Sequence, residues 1–264
     1  MKISVAQVTA DINKNKNLEK AKKYIKESAA SKTDLVVFPE LFMVYAPKEI
    51  KELSEVAESI DGHFVNQMAY YAKQYKVNVM FGMYEIKEGE KERAYNTVVS
   101  LNRDGEVIDK YRKTHLYDAF LHKESNRVIP GDESFGLIET DVGKVGLMIC
   151  YELRFPEVAR KLALLGADII IVPTAWVKGE MKDEHWSTLL KARAIENTVY
   201  IVGSNQIGNI FNGLSMIYDP MGVRVASAGE EETLIQATID QTRIERVRKS
   251  LPSLVNRRPE LYKV

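Results

Sequence analysis

Two short runs constrain the fold more than any other feature. Leu35-Val-Val-Phe38 and Ile169-Ile-Ile-Val172 are apolar at every position. A strand alternates its side chains between two faces, so both faces of these runs need a covering layer. Helical patterns over about 18–31, 64–75, 155–165, 184–197 and 241–249 alternate with strand candidates, the pattern of an α/β protein. Tyr95–Leu101 and Val107–Lys110 flank the turn Asn102-Arg-Asp-Gly105 and predict a hairpin, so antiparallel neighbours are needed as well. Mixed sheets satisfy both demands, and a simple doubly wound sheet stays open on patterning alone. Two local units look alike. Each is a buried strand ending in a polar residue, Glu40 in one and Cys150 in the other, followed by a helix. Strand ends are where α/β folds present reactive groups.

Composition narrows the function. The chain has 264 residues, 45% of them hydrophobic, with 37 Lys plus Arg against 37 Asp plus Glu. Zero net charge argues against a general nucleic-acid binder, and the Arg257-Arg258 pair does not change that. The single cysteine excludes an intrachain disulfide framework and a cysteine-rich metal site, and it fits a cytoplasmic protein. No metal set and no cofactor motif is recognisable. Met1–Val8 reads as a first strand rather than a signal peptide. The most apolar stretch, Ala167–Ala175, is about half the length a membrane helix needs. With no Gly-, Ser- or Pro-rich linker, residues 1–264 read as one soluble domain.

Four residues carry the candidate chemistry. Cys150, in Gly146-Leu-Met-Ile-Cys-Tyr-Glu-Leu-Arg-Phe-Pro-Glu157, is either inert core or a nucleophile closing a strand before a helix, where backbone N–H groups would favour a thiolate. Glu40, at the exit of a buried strand, is either a solvated strand-end carboxylate or a general base in a cramped cleft. Lys113, in Tyr-Arg-Lys-Thr-His-Leu, is either one of a basic loop or a fixed charge beside the thiol. In the second case it would stabilise an oxyanion and lower the cysteine pKa. Glu124 would orient that lysine. Of His63, His115, His122 and His185, none stands in a motif that pairs it with Cys150, so a cysteine-protease arrangement has no support.

Taken together, these blocks closely resemble the nitrilase superfamily of carbon-nitrogen hydrolases over nearly the whole chain. Leu-Val-Val-Phe-Pro-Glu40-Leu resembles the family's base motif, Tyr-Arg-Lys113-Thr-His-Leu its lysine motif, and Gly-Leu-Met-Ile-Cys150-Tyr-Glu its nucleophile motif. Glu124 matches its additional glutamate. Pro130-Gly-Asp, His185-Trp, Arg193-Ala-Ile-Glu-Asn197 and Asp219-Pro-Met-Gly222 are supporting blocks. The resemblance implies a four-layer α-β-β-α sandwich with internal pseudo-symmetry and a Glu-Lys-Cys triad that needs no cofactor. It also implies a homodimer, with the C-terminal segment from about 250 to 264 packing at the subunit interface. Its reaction is amide hydrolysis through a cysteine thioester, with the backbone N–H of Tyr151 supporting the oxyanion.

Among family members, Arg-Lys-Thr-His-Leu-Tyr-Asp and Cys-Tyr-Glu-Leu-Arg-Phe most resemble the ω-amidase-like Nit branch. That branch hydrolyses small ω-amides of dicarboxylates, such as α-ketoglutaramate, or deaminated glutathione. A carboxylate far from the reacting amide calls for a cation in the pocket. Arg154, four residues after Cys150, is the candidate, and pairing with an acid such as Glu157 is the alternative. Tyr45 and Trp176 are candidates to line the pocket, and His185 to shape it. The stretch Ala175-Trp-Val-Lys-Gly-Glu-Met-Lys182 departs from the pattern of well-defined ω-amidases. The expected partner is thus a small amide substrate. Carbamoyl amino acids, other aliphatic amides and nitriles remain competing substrates, and a catalytically silent interaction protein is the rival from another class.

Overall fold

The computed structural model describes residues 1–141 and 143–262. Along the chain run β1 (Lys2–Gln7), α1 (Lys14–Ala30), β2 (Leu35–Val37), α2 (His63–Tyr75), β3 (Asn78–Glu85), β4 (Ala94–Leu101) and β5 (Val107–Arg112). Short strands follow: β6 (Asp118–Ala119), β7 (His122–Lys123) and β8 (Val128–Ile129). The second half holds β9 (Leu137–Thr140), β10 (Gly143–Leu147), α3 (Pro156–Leu165), β11 (Ile169–Thr174), α4 (Lys182–Asn197) and β12 (Tyr200–Asn205). It ends with β13 (Ile207–Gly208), β14 (Phe211–Asn212), β15 (Met216–Tyr218), β16 (Arg224–Ser227), β17 (Thr233–Thr238) and α5 (Gln241–Ser250).

Two large sheets are built to one plan. The first has the order β17-β1-β2-β3-β4-β5, with β8 added on β4, and the second has the order β16-β15-β12-β11-β10-β9. Each centres on a parallel trio: β1, β2 and β3 in one, β10, β11 and β12 in the other. Antiparallel strands flank both trios. The expected hairpin is β4–β5. Burial accounts for the unbroken apolar run at β2. Leu35 and Val37 point into a core shared with Ile169–Val172 and with Trp186 and Leu190 of α4. Val36 points the other way, into a core with Leu18 and Ile25 of α1 and Phe64 and Met68 of α2. Each sheet therefore has the other sheet on one face and two helices on the other, the expected α-β-β-α layering.

The sequence signals set the helix ends. Asn13 caps α1 by accepting the Asn15 N–H at 2.9 Å. Pro156 opens α3, and Gly166, at φ +106°, closes it. One boundary differs from expectation in a way that matters. The strand expected to reach Cys150 stops at Leu147, and Cys150 instead begins a single 3-10 turn to Arg154. Its φ is +48°, a left-handed conformation that costs a non-glycine residue on the order of 1–3 kcal/mol. β8 and β9 lay outside the expected elements, because runs this short give no periodic signal. The C-terminal segment expected at a subunit interface is described as far as Tyr262, with Val255 and Leu261 exposed, and residues 263–264 lie outside the described residues. Among the described residues no helix is long and apolar enough to cross a membrane.

Gly82 of β3 ties the first sheet to the site. A Cβ built there would stand 2.3 Å from the backbone nitrogen of Leu41 and 2.7 Å from Cα of Glu40. The bare backbone lets the turn carrying Glu40 lie on the strand, and the Gly82 N–H donates to the Pro39 carbonyl at 3.1 Å. We expect Gly82→Ala to cost about 3 kcal/mol in urea unfolding, since backbone rather than a flexible side chain must move. It should also lower kcat at least tenfold by displacing Glu40. A variant with wild-type stability and turnover would refute this role.

Candidate active site

Four elements deliver Glu40, Lys113, Glu124 and Cys150 to one cleft of about 430 Å³. Glu40 follows β2, Lys113 follows β5, Glu124 follows β7, and Cys150 heads the turn after β10. The Lys113 ammonium donates to Glu40 Oε1 at 2.9 Å and to both Glu124 oxygens at 3.0 and 2.9 Å. Lys113 and Glu40 are each 2% exposed. Burial works against the ammonium, but the fields of Glu124 and Glu40 hold its pKa well above the usual value, so it stays charged. Glu40 is gripped further: Oε1 accepts from Asn96 Nδ2 and Oε2 from the Ala175 N–H, both at 2.7 Å. Gln206 Nε2 donates to the Glu40 backbone carbonyl at 2.7 Å.

The cysteine departs from the expectation that lysine would favour a thiolate. Burial pushes the Cys150 thiol well above its ordinary value, and Glu40 and Glu124 push the same way, outweighing Lys113. Lys113 already neutralises carboxylates, so the resting sulfur keeps its proton.

Beside the turn headed by Cys150, Glu152 is wholly buried and accepts the N–H of Ile149 at 2.6 Å and of Thr114 at 2.8 Å. It also accepts the hydroxyl of Tyr111 at 2.7 Å and of Thr114 at 2.8 Å. This carboxylate ties the segment bearing Lys113 to the turn bearing Cys150. Burial pushes its pKa up, but hydrogen bonds from His115, Ile149, Tyr111 and Thr114 hold it below the usual carboxylate value.

The remaining candidates divide between two recesses. Tyr45 lines the larger cleft with Glu40 and Glu124. Tyr151, Arg154 and Trp176 line a smaller, adjoining one of about 20 Å³ that shares Tyr117, Cys150, Ala175 and Val177 with the first, and neither carboxylate lines it. Arg154 does not pair with Glu157. Its guanidinium lies 4.8 Å from the Trp176 ring and its terminal nitrogens 3.5 Å from His185 Nδ1, while its buried Nε has no hydrogen-bond partner among the described residues. His185 lines neither recess, because α4 begins three residues before it and places it behind Arg154. Sequence reasoning passed over Asn96, Glu152 and Lys182. Nothing around Asn96 marks it, Glu152 was hidden inside the cysteine motif, and Lys182 closes the stretch whose pattern was already irregular. Among the described residues no cluster of His, Cys, Asp and Glu could hold a metal ion.

A sequence model of the family described as "Carbon-nitrogen hydrolase" matches residues 2–249. The chain belongs to this family. It is an enzyme of the nitrilase superfamily, acting on a carbon-nitrogen bond. A deaminated glutathione amidase of Escherichia coli O157:H7 is 39% identical over 92% of this chain and 92% of its own. An ω-amidase of Xenopus tropicalis is 33% identical over 100% of this chain and 97% of its own. The crystal structure of the C. elegans NitFhit protein superposes with a TM-score of 0.92 at 29% identity, covering 99% of this chain and 66% of that larger one.

Two outcomes test the electrostatics of this carbon-nitrogen hydrolase. Glu40→Gln removes a negative charge that disfavours the thiolate, so the pH midpoint of Cys150 alkylation by iodoacetamide should move down while hydrolysis is lost. A midpoint that stays put or rises would show that Glu40 does not set the thiol's state. Glu152→Gln should cost about 2 kcal/mol at pH 7. A carboxylate with a depressed pKa stabilises the fold above its ordinary value of 4.5 and loses that contribution as pH falls through the folded value. The gap in urea midpoint should therefore narrow in acid, and a gap independent of pH would refute the ionised network.

Proposed function

We propose that this enzyme is an amidase that hydrolyses the ω-amide of a short dicarboxylate through a thioester on Cys150. The observation that carries the reading is that Cys150 lines two recesses, one shared with Glu40, Lys113 and Glu124 and the other with Arg154, which has no acid partner among the described residues. Cys150 Sγ attacks the amide carbon as Glu40 takes the thiol proton. The oxyanion is held by Lys113 and the backbone N–H of Tyr151. The C–N bond breaks as Glu40 returns its proton to the leaving nitrogen, and amine departs from the thioester. Water then attacks the acyl carbon and gives its proton to Glu40. The second tetrahedral species expels Sγ, which regains a proton from Glu40, leaving the free acid.

Because Glu40 must reach the leaving nitrogen, the amine exits through the larger cleft and the acyl chain lies toward Arg154. That cleft far exceeds the needs of ammonia. Its size favours an amide whose nitrogen carries a substituent, as in the deaminated glutathione named for the E. coli relative. The same reading makes the enzyme a homodimer, with the tail from about residue 250 reaching its partner.

Amine or ammonia release would be followed for deaminated glutathione, α-ketoglutaramate, succinamate, glutamine, butyramide, N-carbamoyl amino acids and nitriles, with Cys150→Ala alongside. We expect the dicarboxylate amides to lead by at least tenfold in kcat/KM, the variant to be silent, and acid-quenched wild type to carry an acyl adduct on Cys150 by mass spectrometry. Preference for carbamoyl compounds, with carbon dioxide released, would replace the substrate while keeping the nucleophile. An active Cys150→Ala would overturn the mechanism.

A further inference from the structure

We propose that Lys182 is a second cationic anchor that, with Arg154, grips the distal carboxylate of the acyl group. The inference rests on the ω-amide reading above and adds a specificity-determining residue to it. Lys182 is the first residue of α4, yet its side chain folds inward and is only 7% exposed. Its ammonium donates to the Tyr117 hydroxyl at 2.7 Å and stands 4.3, 4.7 and 5.5 Å from the rings of Phe120, Tyr117 and Trp176. Among the described residues it forms no ion pair.

Three features of this position oppose a positive charge. The ammonium is desolvated, it lies in the first turn of a helix, where the macrodipole repels cations, and it shares the Trp176 ring with the Arg154 guanidinium. Burial, together with the field of Arg154, draws its pKa below the usual lysine value. Aromatic faces offset part of this cost through cation–π attraction. Lys113 shows the contrast within the same molecule: more deeply enclosed than Lys182, it meets two carboxylates and its pKa rises. A buried lysine beside an arginine, neither of them neutralised, leaves a place where an anion would satisfy both.

The recess between them fits such an end group. Lys182, Arg154, Trp176 and Tyr117 line it together with Cys150. Its volume of about 20 Å³ compares with the ~10–15 Å³ that holds one water, so it admits a small polar terminus and excludes a bulky one. Among the described residues no carboxylate lines it. A planar carboxylate can offer one oxygen to the guanidinium and the other to the ammonium.

The test is calorimetric binding of succinamate and of its uncharged counterpart butyramide to Cys150→Ala, alone and combined with Lys182→Met or Lys182→Arg. Wild-type turnover of both amides is measured in parallel. Loss of one charge-assisted contact should reduce the ratio of succinamate to butyramide affinity about 10- to 100-fold in Lys182→Met, with Lys182→Arg recovering most of it. An unchanged ratio, or equal weakening of both ligands, would overturn the anchor and leave Lys182 a structural prop. No succinamate binding at all would overturn it too. If succinamate binds in a Lys182-dependent way but wild type does not hydrolyse it, the anion site stands and the ω-amide reading falls. If wild type hydrolyses succinamate and the ratio ignores Lys182, the reverse holds.

Discussion

A buried lysine held between a buried carboxylate, Glu40, and a half-buried one, Glu124, is the interaction on which the site depends. Lys113 could not keep its charge at 2% exposure without Glu40 and Glu124, and neither glutamate could sit so deep without a cation. The three come from separate connections of the chain, so the ion cluster also fixes how those connections meet. Asn96 reinforces it by donating to Glu40 and, at 3.3 Å, to Glu124, while its carbonyl accepts the Lys113 N–H at 2.9 Å. This trio also bears on the state of Cys150. Burial is the main force that raises the thiol's pKa, and Glu40 adds to it by more than Lys113, already paired with two carboxylates, takes away. On the proposed mechanism the lysine's charge becomes useful only as an oxyanion develops, which is when catalysis needs it.

The sheets place the trio, and a second carboxylate places the sulfur against it. Cys150 stands in a left-handed conformation that isolated residues avoid, and Glu152 holds the turn by collecting donors from both sides of the joint. The strain at Cys150 is tolerated because that network, rather than local preference, determines the backbone there. Gly82 does the equivalent work for Glu40, where close backbone approach replaces a hydrogen-bond network. The two halves of the molecule share one sheet plan and present their reactive residues by different local devices.

This difference explains what the sequence could and could not tell. Layers were legible because Leu35–Phe38 and Ile169–Val172 have no polar face, and the β4–β5 hairpin because Asn102–Gly105 supplies turn chemistry. Glu40, Lys113, Glu124 and Cys150 were legible through local motifs in a known order. The end of β10 was misjudged because Met148 and Ile149 are as apolar as the strand before them, and no periodicity marks where pairing stops. Asn96 was invisible because its role arises from a fold that brings residues 40, 96, 113 and 124 together, and an asparagine in a strand carries no signal of that. His185 lines neither recess and instead lies 3.5 Å from the Arg154 guanidinium, a contact that no sequence motif marks.

Charge is distributed unevenly between the two recesses that Cys150 lines. Glu40, Glu49 and Glu124 line the larger one together with Lys48, Lys113 and Arg127, while Arg154 and Lys182 line the smaller one with no carboxylate among the described residues. A substrate bearing a carboxylate on its acyl side can lie across the thiol in two directions. One sets its anion in the mixed-charge recess, where Glu40 and Glu124 already hold Lys113. The other sets the anion between two cations and leaves the amide nitrogen facing Glu40. On the proposed reading, recognition and proton transfer therefore follow from one electrostatic gradient. A neutral amide feels no such torque, so it must rely on shape alone to bring its nitrogen to the base.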